Sequence, residues 1–117
     1  MNEYLEVEDV ARQGELTVET ATNDNTMTVS LVGELDIRSA PNLEQRLASA
    51  QASEVRTVVV DMSGLQFIDS TGLRVLLRAK QRADGDGREL RIDNAQSQVR
   101  RLFELAGILE VLSLERG

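Results

Sequence analysis

The chain has 117 residues, of which 41 % are hydrophobic and 28 % charged, values for one ordinary globular domain with enough length for a real core. Its net charge of −7 argues against nucleic acid or an anionic membrane surface as the main partner and suits a partner with a basic surface. With no histidine and no cysteine, the chain cannot supply a Ser-His-Asp triad, a Cys/His zinc site, a disulfide framework or a redox thiol.

Residues 1–13 are polar and acidic, with scattered Tyr4, Leu5, Val7 and Val10; they read as an N-terminal extension to a domain at 14–117. The start lacks the basic and apolar regions of a signal peptide. No apolar run approaches the roughly 20 residues that span a bilayer. The expectation is a cytoplasmic protein with no membrane span. Leu16 and Val18 alternate with polar residues, as do Met27, Val29 and Leu31. With the turn cluster Asn23-Asp24-Asn25 between them, the two stretches predict a β-hairpin. Ser39 and Pro41 mark a helix start, a capping hydroxyl followed by a proline in the first turn. Leu43, Leu47 and Ala50 give that helix its apolar stripe to about Ala52.

A strand at 56–61 follows, then a short loop, then a helix from about 70 to 83 with Leu73, Leu76 and Leu77 on one face. In this reading Val59 and Leu76 pack their two elements together, and Phe67 and Ile68 belong to the core. Asp84-Gly85-Asp86-Gly87 breaks the helix as a turn. It lacks the further ligands and closing glutamate of a calcium loop. Glu89–Ile92 is a short strand. Ser97–Ala106 is amphipathic through Val99, Leu102, Phe103 and Ala106, and Gly107 suits its stop. Val111, Leu112 and Leu114 read as a last short strand or a docked tail. The order β-β-α-β-α-β-α-β predicts an α/β fold with a mixed, mostly parallel sheet, an N-terminal antiparallel hairpin and three to four helices.

The chain is organised around residues 58–73. The run Val58-Val59-Val60 has the pattern of a strand buried on both faces. The hydroxyl-rich turn Asp69-Ser70-Thr71-Gly72 then hands over to a helix. The carboxyl end of a central strand is the usual place for function in an open sheet, so Ser70 is the candidate working residue. Two readings fit the residues. Asp69 or Ser70 caps the helix, or the hydroxyl stands exposed at a helix N-terminus that tolerates an added phosphate. Gly72 fits both, since a residue without Cβ lets another backbone approach. Arg74 and Arg78 lie on the same helix, as a solvated face or as the rim of a partner interface beside Ser70.

Asp61-Met62-Ser63-Gly64-Leu65-Gln66-Phe67-Ile68-Asp69-Ser70-Thr71-Gly72-Leu73 resembles the signature of the STAS domain family, and within it the anti-sigma factor antagonists (anti-anti-sigma factors). Val32-Gly33-Glu34-Leu35-Asp36 and Val99–Ile108 are similar to two further blocks of that family, and the match runs over about 15–115. The resemblance implies a STAS-like mixed sheet and a phosphorylation-controlled binding module that uses no cofactor and has no catalysis of its own. The serine after the motif aspartate, here Ser70, is the implied phosphoacceptor. The unphosphorylated form would bind an anti-sigma factor with serine kinase activity and free a sigma factor, and a serine phosphatase would reset it. The implied partner-binding residues are Asp36, Asp69, Ser70, Thr71, Gly72, Arg74 and Arg78, with no direct nucleic acid contact. A second reading is a constitutive STAS scaffold, or a transporter or signalling-complex module, in which Ser70 only caps a helix. A third, an enzyme with Ser70 as nucleophile, lacks a histidine base, and only Asp69 or Asp36 remains to serve.

Overall fold

A computed structural model describes residues 15–107. The expected extension at 1–13 and the apolar tail at Val111, Leu112 and Leu114 lie outside the described residues. The elements in chain order are β1 (Leu16–Asn23), β2 (Thr26–Leu35), α1 (Ala40–Ala52), β3 (Thr57–Ile68), α2 (Ser70–Gly85), β4 (Glu89–Asp93) and α3 (Ser97–Ala106). The sheet order is β1-β2-β3-β4. β1 and β2 form the antiparallel hairpin, with Asn23 opposite Thr26 across the predicted turn. β2/β3 and β3/β4 are parallel, each pair joined by a helical crossover.

β3 departs from expectation. It does not stop near residue 61 but continues to Ile68. The reason lies in its register. Ser30 pairs with Asp61 and Val32 with Gly64; Gly33 pairs with Leu65 and Glu34 with Phe67. At each step β3 spends one residue more than β2, so it carries two bulges, which bend and twist the strand. Core-facing residues accordingly change spacing. Val58, Val60 and Met62 alternate, and then Leu65 and Ile68 follow at intervals of three, all in one buried cluster. The broken alternation reads as a loop in the sequence but is strand in the structure.

Beyond Asp61, which pairs with Asp93 at the end of β4, no described strand lies on that side of β3. Side-chain amides at the start of α3 cover the gap. Gln96 Nε2 donates to the Ser63 carbonyl at 2.7 Å and Gln98 Nε2 to that of Gln66 at 2.9 Å. These bonds satisfy backbone acceptors that would otherwise be left open at the edge.

The core gathers Leu31 and Leu35 of β2, Leu43 and Leu47 of α1, the β3 residues above, Val75, Leu76 and Ala79 of α2, Leu90 and Ile92 of β4, and Val99 and Phe103 of α3. Val59 was expected to face Leu76. It is buried, yet it stands outside this cluster, because strand alternation turns it away from the face its neighbours Val58 and Val60 present to the core. On α2 the buried stripe is Gly72, Val75, Leu76, Ala79 and Ala83, with Leu73 and Leu77 only partly buried at its margin. Gly107 ends α3 in the left-handed conformation (φ 72°), as its position predicts. Asp86 and Gly87 form the helix-to-strand turn, and no group of metal-ligating side chains occurs among the described residues.

Candidate functional site

Two turns meet at the carboxyl end of the central parallel strands, one after β2 (36–39) and one after β3 (69–72). The second turn is closed by Asp69. Its Oδ1 accepts from the Gly72 N–H at 3.0 Å, which is the N-cap bond of α2, and its backbone carbonyl accepts from the Leu73 N–H at 3.0 Å. Its Oδ2 accepts from the Ile37 N–H at 3.1 Å and its own N–H donates to the Leu35 carbonyl at 3.1 Å. One carboxylate thus caps a helix and ties the two turns together.

Ser70 is the first residue of α2 and is exposed, with its side chain in no hydrogen bond among the described residues. Of the two candidates for the cap, Asp69 does the work and Ser70 does not. Thr71 is half-buried beside it. Gly72 serves the interior, contrary to the expectation that it admits a partner's backbone. A Cβ there would lie 2.7 Å from Leu35 Cγ and 2.9 Å from Ile68 Cγ1, so the missing side chain lets α2 settle onto β2 and β3. Arg74 is exposed one turn along from Ser70. Arg78 is held on α1, its Nε and Nη2 donating to Glu44 Oε2 at 3.2 and 3.0 Å.

The first turn is self-contained. Asp36 Oδ1 accepts from the backbone N–H groups of Arg38 at 2.9 Å and Ser39 at 3.1 Å, and the Arg38 guanidinium lies 3.4 Å from Oδ2. Desolvation raises the Asp36 pKa, but these hydrogen bonds and the Arg38 charge outweigh it and hold the carboxyl below its ordinary value. Ser39 was expected to cap α1 with its hydroxyl. Instead Oγ donates to the Glu34 carbonyl at 2.8 Å and accepts from the Asp36 N–H at 3.0 Å, and it makes no cap bond to α1.

Two apolar side chains beside the turns escape the sequence reading. Ile37 is 70 % exposed and Phe67, expected in the core, is 48 % exposed. The signal for Ile37 was an isolated apolar residue between Asp36 and Arg38 in a turn. For Phe67 the signal is hidden, because the second bulge moves it out while Ile68 goes in. Phe67 and Ile68 also line a groove of about 360 Å³ with Gln66, Gln98, Val99 and Leu102.

The chain is similar to several known proteins. A protein named anti-sigma-B factor antagonist from Staphylococcus aureus is 29 % identical over 102 residues, covering 87 % of this chain and 94 % of that one. The crystal structure of an anti-sigma factor antagonist from Mycobacterium paratuberculosis superposes with a TM-score of 0.79 at 27 % identity, covering 87 % of this chain and 86 % of that one. The Bacillus cell fate determinant SpoIIAA in its phosphorylated form shares the fold, with a TM-score of 0.68 at 19 % identity over 86 % of this chain and 92 % of that one. The family model described as "Mlab, STAS domain" matches residues 18–113. With that match over most of its length, and with the mixed four-stranded sheet that carries the Asp69–Ser70 turn, the chain belongs to the STAS domain family.

Proposed function

We propose that this protein is an anti-sigma factor antagonist controlled at Ser70. The unmodified form binds an anti-sigma factor that is also a serine kinase, and this frees a sigma factor. Phosphorylation of Ser70 by that kinase switches binding off, and a serine phosphatase restores it. The protein contributes no catalysis and needs no cofactor; the ATP chemistry belongs to the partner. Asp36, Asp69, Ser70, Thr71 and Arg74 form the partner-facing surface, with the half-exposed Arg78 at its rim tied to Glu44 and Gly72 seating α2 beneath it. The similarity to proteins named as antagonists of anti-sigma factors supports the partner class.

One observation carries the switch reading over the scaffold reading. The scaffold reading gives Ser70 the work of capping α2, but Asp69 already does that and leaves the Ser70 hydroxyl exposed and, among the described residues, unengaged. An exposed hydroxyl beside a carboxylate that already does the capping is open to a kinase. The test is to incubate the purified protein and its Ser70→Ala variant with the host's anti-sigma factor kinase and ATP, then locate phosphate by mass spectrometry. One phosphate on Ser70 and none on Ser70→Ala is expected. Labelling of both proteins alike, or of neither, would overturn the reading.

A further inference from the structure

Ser70, Arg74 and Arg78 follow one another at four-residue intervals on α2, so their side chains form a column on one helix face. The two arginines differ in what they hold. Arg78 is committed to Glu44 of α1 through two nitrogens, at 3.2 and 3.0 Å. Arg74 is exposed, with no hydrogen bond or ion pair among the described residues. The Asp69 carboxylate, at the head of the column, has both oxygens engaged by backbone N–H groups. Among the described residues, the unmodified protein therefore presents an uncommitted guanidinium one turn from an uncommitted hydroxyl.

We propose that Arg74 is the internal counter-ion of the phosphate carried by Ser70. The proposal rests on the reading of Ser70 as phosphoacceptor and deepens it. A phosphoserine adds about −1.5 to −2 charges at neutral pH and three strong acceptor oxygens. The planar guanidinium fork meets two such oxygens at once, which an ammonium does not. An anion placed four residues before a cation is the favoured order on a helix. Modification then changes two groups together. It adds an anion to the partner-facing surface and draws back the arginine that projects from it. A partner that met a neutral hydroxyl and a free cation meets an ion pair instead.

The experiment uses the full chain with phosphoserine installed at position 70 during translation, and follows the phosphate by ³¹P NMR as pH is varied through its second pKa. Arg74→Gln should raise that pKa by about 0.3 unit or more relative to the parent. Arg78→Gln, which removes the same charge from the same column, should leave it where the parent has it, and Arg74→Lys should fall between. Circular dichroism confirms that each variant is folded. An unchanged titration in Arg74→Gln would overturn the proposal. So would an equal rise in Arg78→Gln, which would mean that the phosphate senses only the general field of the helix face. The two readings fail separately: a kinase that leaves Ser70 unlabelled overturns the phosphoacceptor reading, and an unshifted Arg74→Gln titration overturns the counter-ion.

Discussion

The turns after β2 and β3 stand side by side, and each precedes a helix with an aspartate and a serine, but they use them in opposite ways. In the first, Asp36 and Ser39 bond to each other's backbone, and the Ser39 hydroxyl also donates to the Glu34 carbonyl. In the second, Asp69 takes the Ile37 and Gly72 N–H groups, and the Ser70 hydroxyl bonds to nothing among the described residues. The same residue types can be structural or available: in both turns the aspartate takes the backbone N–H groups, and the difference lies in whether the serine hydroxyl is drawn into the turn's own hydrogen bonds. An unengaged hydroxyl contributes little to stability, so its position at the mouth of the central strands is free to serve another purpose.

The sharpest way to break this contrast is to remove the platform under the second turn. Gly72→Val forces side-chain atoms into Leu35 and Ile68 and should cost about 3 kcal/mol, at the upper end of overpacking effects, read from a denaturant melt. A loss under half a kcal/mol would mean α2 is not seated there. Next is Asp69→Ala, which removes the α2 cap and the tie to Ile37 together. A loss of about 1–2 kcal/mol is expected, with increased hydrogen exchange at the Ile37 and Gly72 amides.

The paired serines sharpen the comparison directly. Ser39→Ala should cost about 1 kcal/mol, because two hydrogen bonds go with the hydroxyl. Ser70→Ala should stay within about 0.5 kcal/mol of the parent. Equal losses would show that Ser70 holds a structural bond. The smallest effect is acid sensitivity. Asp36 has a folded pKa below its ordinary value of 3.8, so its contribution is complete above that value and is lost as pH falls through the folded pKa. Asp36→Asn should therefore flatten the low-pH limb of the stability curve by lowering the neutral plateau slightly, with the variant and the parent converging in acid.

Much of this arrangement was legible in the sequence. The hairpin, α1 with its stripe Leu43–Leu47–Ala50, the α2 start at Ser70 and the stop at Gly107 all follow from local periodicity and capping chemistry. What escaped depends on tertiary register. Two bulges in β3 change the core spacing from two to three, so Met62 and Leu65 looked like loop and Phe67 looked like core, whereas Ile68 is buried as expected. The face of Val59 and the inward role of Gly72 are likewise set by partners distant in the chain, Leu35 above all, and no local pattern encodes them. The free state of Ser70 has no local signature either, because Asp69 and Ser70 are both good caps by type.

The central claim is that the free hydroxyl of Ser70 is a switch. Its most direct test is a titration of the host's anti-sigma factor with unmodified and Ser70-phosphorylated protein, at fixed salt and nucleotide. A phosphate on Ser70 would face the acidic nucleotide phosphates that a kinase partner holds near its acceptor site; like charges brought together across an interface cost several kcal/mol, and about 1.4 kcal/mol is tenfold in affinity. Phosphorylation should therefore weaken binding at least about tenfold, while Ser70→Ala binds as the parent does and Ser70→Asp binds poorly. Equal affinities for the two forms of the protein would contradict the account.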